Sequence, residues 1–126
     1  MRAGLSLRNG LLTSLGVRLN LGVCRFYNGT QPADPDTALS GNTLIVECAM
    51  AATAFSVSGG VVTLNIGAGT VAASGTPTFA RFFQFGGVNV EFDLTVGTDL
   101  TLAQDDWTAG ETFPAPSVRI TLPIGT

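Results

Sequence analysis

The sequence predicts an all-β fold, an antiparallel β-sandwich of jelly-roll type preceded by a short N-terminal helix or arm. Three observations carry this prediction. In the run Phe79–Val96, residues Val88, Val90, Phe92, Leu94 and Val96 alternate with Asn89, Glu91, Asp93 and Thr95, the period-two signature of a sheet with one buried and one wet face. The run Phe55–Ile66 repeats the device around Gly59-Gly60. Seven or eight such short stretches, separated by Gly, Pro and Asn turn signals, follow one another along the chain, the spacing expected of a sandwich or jelly roll. The organisation read from this is an arm or short helix over residues 1–21 and a single β-sandwich domain over residues 22–126.

Residues 5–19 fit an amphipathic helix, with Ser6 as N-cap and Leu7, Leu11, Leu12, Leu15 and Leu19 near one face. Gly10 and Gly16 weaken it by about 1 kcal/mol each relative to alanine, so it should form only when packed on its own sheet or on a neighbouring subunit. Val23–Tyr27 reads as a strand ending in the Asn28-Gly29 turn signal, and Thr30–Thr37 as a proline-bearing surface loop. Leu44, Val46, Cys48 and Met50 alternate against Thr43 and Glu47, but Ile45 and Ala49 make the second face too apolar for water, which predicts a central or covered strand. A two-residue turn at Gly59-Gly60 pairs Phe55 with Leu64 and Val57 with Val62, leaving Ser56, Ser58, Thr63 and Asn65 on the opposite face. Residues 67–78, rich in Gly, Ala, Ser and Thr, read as a flexible connection.

The hairpin from Phe79 contains a conflict. A two-residue turn at Gly86-Gly87 pairs Phe85 with Val88 and Phe83 with Val90, but sets Arg81 opposite Phe92 on the apolar face. A bulge that moves Arg81 to Glu91 on the wet face resolves it and sends Phe82 into the core. Phe79 or Phe83 is then exposed apolar surface, a candidate contact for a partner. Leu100 and Leu102 follow, then an acidic loop over residues 104–116. Val118, Ile120 and Leu122 form a last strand, stopped by Pro123 and Gly125.

Composition bounds the function. A single domain of 126 residues buries roughly two-thirds of its unfolded surface and needs no metal or disulfide staple. Charged residues make up only 12%, about half the usual share, so the surface is neutral. With no Lys, no His, six scattered arginines and a net charge of −3, no nucleic-acid partner is expected. No apolar run reaches the eighteen or so residues of a membrane span, and the N-terminal leucines are interrupted by polar residues, unlike a signal peptide.

The candidate chemical groups are sparse. Cys24 and Cys48 lack CxxC spacing and any histidine, which argues against zinc and thiol-imidazole catalysis and for buried thiols, with a disulfide between adjacent strands left open. Asp105-Asp106 beside Trp107 reads as a solvated loop, since neighbouring side chains point apart and do not share a proton. Asp34 and Asp36 read as a polar turn, with too few oxygens for calcium. Asn28-Gly29-Thr30 matches a glycosylation triplet, and the Gly pairs lack the lysine and helix of a phosphate loop. No catalytic residue, cofactor or metal is therefore expected. Trp107 could serve a sugar-binding platform, plug the end of the sandwich or anchor an interface.

Four segments together resemble small proteins encoded in tailed-phage and prophage virion gene clusters: Leu7-Arg-Asn-Gly-Leu-Leu12, Arg25–Pro32, Ala73–Phe83 and Val96–Leu102. The resemblance implies a virion structural protein, a capsid decoration or cement protein whose partner is the major capsid protein. It implies a site on the capsid surface, with host cytoplasm as the place of assembly. A homodimer or homotrimer on the shell is expected, because symmetric shells seat proteins on symmetry axes. The expected contacts are Leu7, Leu11, Leu12, Leu15, Phe79, Phe83, Trp107 and Phe113. A neck or tail component and a carbohydrate-binding adhesin are the alternatives, ahead of a carboxylate-only glycoside hydrolase.

Overall fold

The computed structural model describes residues 4–121. In chain order it contains helix α1 (Leu5–Arg18) and strands β1 (Val23–Tyr27), β2 (Leu44–Ser58), β3 (Val61–Ile66), β4 (Gly69–Thr70), β5 (Phe79–Phe83), β6 (Val90–Thr95), β7 (Thr112–Phe113) and β8 (Val118–Thr121). Six strands form one curled antiparallel sheet in the order β6-β5-β1-β2-β3-β8, and β4 pairs with β7 as a short ribbon. The predominantly β character and the N-terminal helix thus agree with the sequence. Leu122, Pro123 and Gly125 lie outside the described residues.

The hairpin of β2 and β3 has the expected register, with Phe55 opposite Leu64 and Val57 opposite Val62. Gly59 and Gly60, at φ +61° and +78°, supply the two left-handed residues a tight hairpin turn demands. The predicted strand Leu44–Met50 and the arm Phe55–Ser58 are one continuous strand, interrupted by a register shift between Met50 and Phe55. Ala51–Ala54 are set against Asn65 alone, and this irregularity bends β2 from the β1 side of the sheet towards β3. Its freed backbone groups are satisfied locally. The Leu21 N–H donates to the Ala51 carbonyl, the Ala54 N–H to Asn20 Oδ1, and Asn65 Nδ2 to the Thr53 carbonyl.

Helix α1 packs on β2 and β3. Its N-cap is Gly4, not Ser6, and no side chain caps it; the Arg8 N–H already donates to the Gly4 carbonyl, so Ser6 lies within the first turn. Leu12, Gly16 and Leu19, at helical spacing, are buried. Gly16 is a packing requirement as well as a weak point of the helix: a Cβ there would fall 2.1 Å from Cγ of Phe55. The Gly60 N–H donates to Asn9 Oδ1, tying the helix to the β2–β3 turn. The surface that orders α1 is therefore its own sheet.

Residues 67–78 are pinned rather than loose. The Val71 N–H bonds the Glu111 carbonyl and the Ala72 N–H the Ile45 carbonyl, while Gly75 and Trp107 exchange two backbone bonds. This cover explains the apolar second face of β2, where Ile45 and Val46 point to opposite sides and are both fully buried. The core gathers Cys24, Phe26, Val46, Cys48, Ile66, Phe82, Trp107 and Phe113. The ring of Phe113 lies 4.9 Å from Phe26 and 4.6 Å from Trp107, centroid to centroid.

The hairpin of β5 and β6 differs from both registers read in the sequence. Phe83 does oppose Val90, but a shift beyond it sets Phe82 against Phe92 and Arg81 against Asp93. The bulge exists, and its partner for Arg81 is Asp93 instead of Glu91. Nor is this face wet. Arg81 Nε and Nη2 grip the Asp93 carboxylate at 2.8 and 2.9 Å, and Nη1 donates to the Thr37 carbonyl at 2.9 Å. Loop 34–37 thus closes over the guanidinium, leaving Arg81 buried. Phe79 and Phe83 are also removed from the surface: Phe79 stacks on Tyr27, and Phe83 lies under the Arg25 guanidinium, which is 4.7 Å from the ring centroid.

Candidate interaction surface

The turn between β5 and β6 is longer than two residues. Phe85–Gly87 form a single 3₁₀ turn, and the loop closes when the Gln84 N–H bonds the Asn89 carbonyl. Gly86 and Gly87 stand at φ +83° and +68°. A Cβ at Gly87 would sit 2.7 Å from Nη2 of Arg25, the movable end of a long side chain, so the positive φ is what calls for glycine there. Phe85 and Val88, which the sequence assigns to paired strand ends, are instead 70% and 75% exposed.

Bonds on every side brace this turn. The Gly87 N–H donates to the Gln84 carbonyl, Asn89 Nδ2 to Gln84 Oε1, and Gln84 Nε2 to the Glu91 carboxylate. Glu91 also accepts from Arg18 Nε at 2.8 Å, which links the last turn of α1 to β6. Arg25 pairs with Glu47 at 2.6 Å. The charges around the turn are thus matched in pairs, and its tip is a neutral apolar knob held in a defined shape. A side chain fixed before contact loses less entropy on binding.

The end of α1 carries further exposed apolar side chains. Val17 and Leu21 are each just over half exposed. Gly22 abuts β5 so closely that a Cβ would fall 2.1 Å from the Phe83 carbonyl oxygen, so the glycine is spent on that approach and Leu21 takes the left-handed turn, at φ +58°. For a bulky residue that conformation costs about 1–2 kcal/mol. Leu21 offsets little of that cost by burial, because its side chain stays in solvent.

The sequence-selected contact residues divide sharply. Leu7 and Leu11 lie exposed on α1, and Leu15 is half-buried against the core. Leu12, Phe79, Phe83, Trp107 and Phe113 are buried within the chain and are not free surface. Trp107 is a plug: its indole N–H donates to the Gln104 carbonyl and its ring packs on Phe113. The residues that sequence reasoning missed are Val17, Leu21, Phe85 and Val88. Their one legible signal is the placement of Phe85 and Val88 directly on either side of a Gly-Gly pair.

The polar candidates resolve into local structure. Asp106 accepts from the Thr76 hydroxyl, Asp34 from the Thr37 hydroxyl at 3.0 Å, and Asn28 Oδ1 from the Thr43 N–H at 2.7 Å. Among the described residues no group of three or more Asp, Glu, Cys or His side chains is placed to hold a metal ion. A depression of about 460 Å³ is lined by Met50, Leu64, Ile66 and Pro116 among others, with no charged side chain. No described helix is long and apolar enough to cross a membrane. Comparison with known protein families, curated proteins and solved structures gives no match.

Proposed function

We propose that this chain is a virion structural protein, a capsid decoration or cement protein that binds the major capsid protein on the outside of a phage head. The observation that carries the reading is the braced, charge-neutral knob on which Phe85 and Val88 stand exposed, with Val17 and Leu21 also exposed at the end of α1 that Arg18 ties to β6. Large apolar side chains held in water by a rigid scaffold are a feature of surfaces that are covered by a partner. A shell supplies that partner many times over, so a small contact gains avidity from repetition. In this reading the two halves of the bent sheet serve as the layers of a jelly roll, and the protein sits on the shell as a dimer or trimer. The sugar-binding alternative loses its aromatic platform, because Trp107 is buried.

The test has two parts. Quantitative mass spectrometry of purified particles should find this chain at a copy number comparable to the major shell protein. A handful of copies per particle would move it to the neck or tail, and absence would end the virion reading. Added back to shells lacking it, the Phe85→Ser/Val88→Ser variant should bind at least tenfold more weakly, with an unchanged melting temperature. Unaltered binding would remove the knob from the contact. Leu21→Gly should keep or raise the stability of the free chain by about 1 kcal/mol through relief of the left-handed leucine, while weakening attachment.

A further inference from the structure

We infer that Cys24 and Cys48 are a latent cross-strand disulfide at the centre of the sheet, shielded by the β4–β7 ribbon and formed when that ribbon opens to a disulfide oxidant. The two are the only cysteines in the chain. Both are reduced, fully buried and direct register partners across β1 and β2, the middle pair of the six-stranded order. Directly opposed residues of antiparallel strands stand roughly 4.5–5.5 Å apart at Cα, within the approximate 4.4–6.8 Å range of disulfides. Their side chains lie on the same face, so the bond requires no change of register.

The ribbon lies over the Cys48 side of this pair. Gly69 of β4 lies directly on β2: a Cβ at that position would be 2.5 Å from the Glu47 carbonyl oxygen, 2.9 Å from Cγ2 of Val46 and 3.4 Å from Sγ of Cys48. The ribbon that carries Gly69 has two residues in each strand and is a separate sheet from β1 and β2, so it can lift, with Phe113 leaving the core, without separating β1 from β2. While it is closed, burial pushes both thiols up, Cys48 to about 12, and Cys48 beside it raises Cys24 further. Thiolate is the reacting species, so the closed protein resists oxidation.

In the open form the chemistry is ordinary exchange with oxidised glutathione. One cysteine thiolate attacks a glutathione sulfur, breaking its S–S bond and releasing one glutathione thiolate. The second cysteine, after losing its proton to solvent, attacks the mixed disulfide and expels the other. The protein loses two electrons and two protons, and one glutathione disulfide becomes two thiols. The product joins the two central strands covalently and restricts the unfolded chain between residues 24 and 48.

The experiment is to incubate the full-length protein with oxidised glutathione below its unfolding transition, block free thiols and map the product by peptide mass spectrometry. The expected result is a monomer lighter by roughly 2 Da with Cys24 joined to Cys48. Its circular dichroism should be unchanged, its melting temperature about 10 °C higher, and the change reversible by dithiothreitol. Stable glutathione adducts, covalent dimers or a linked product with a lower melting temperature would overturn the inference. The gate has its own readout in iodoacetamide labelling of the native protein. Labelling should depend on urea less steeply than global unfolding does, because local opening exposes only part of the buried surface; a dependence as steep as global unfolding would exclude the ribbon as gate. Gly69→Ala, if folded, should label at least tenfold faster, and an unchanged rate in that folded variant would equally exclude it.

Discussion

Arg81 and Asp93 are held out of water with their charges facing each other and a loop carbonyl completing the guanidinium's bonds. Removing one member leaves the other charged and buried, which costs about 3–5 kcal/mol, whereas replacing both by apolar residues of similar volume is often near neutral. Arg81→Met should therefore lower stability in urea denaturation by about that amount, and adding Asp93→Leu should recover most of it. The thiols give a second residue-scale prediction. Cys24 and Cys48 bind protons more tightly folded than unfolded, so their contribution is fully present below pH 9.0 and is lost as pH rises from there towards about 12. Denaturation midpoints at pH 7, 9 and 10.5 should show this decline, and a Cys24→Ala/Cys48→Ala protein should show less of it. The burial of Cys48 was legible from the alternation of Leu44, Val46, Cys48 and Met50. The Asp93 partner was not, because a one-residue bulge reassigns every pair beyond it and leaves no mark in the alternation of β6.

Helix α1 contains two glycines whose roles are opposite despite identical chemistry. A Cβ at Gly10 meets nothing within 4 Å, while one at Gly16 collides with Phe55. Gly10→Ala should raise stability by up to about 1 kcal/mol through helix propensity. Gly16→Ala gains the same propensity but forces β2 and the helix apart, so a net loss of about 1–3 kcal/mol is expected. Thermal melts of the two variants check both signs. The β2–β3 hairpin was readable to the residue because its turn chemistry and its apolar alternation specify one register. The turn after β5 was not, since Gly86-Gly87 permits both a two-residue reversal and the longer loop, and the longer one is held by bonds of Gln84 with Asn89 and Glu91, the latter fixed in turn by the distant Arg18.

At the scale of the whole molecule, α1 belongs to the same hydrophobic core as the sheet. Deleting residues 1–21 removes Leu12 and Leu19, both buried. Each loss is comparable to a core leucine truncation of about 2–5 kcal/mol, set against total stabilities of about 5–15 kcal/mol. The truncated chain should lose its cooperative melting transition in circular dichroism. Shell attachment is therefore tested by changing exposed side chains, because a failure of the truncated protein to bind would report its unfolding.

From residue order alone come the β class, the N-terminal helix, the β2–β3 register, the central position of the strand from Leu44 and the scarcity of basic residues. All of these depend on local periodicity, turn chemistry or composition, which operate over a few residues. The tertiary structure alone decided which aromatic residues are surface. Phe79, Phe83, Trp107 and Phe113 are covered by segments distant in the chain, whereas Phe85 and Val88 protrude because a braced turn turns them away from the sheet. Burial is a property of what folds back over a residue, and a neighbour separated by dozens of positions is not written in the residue's own pattern.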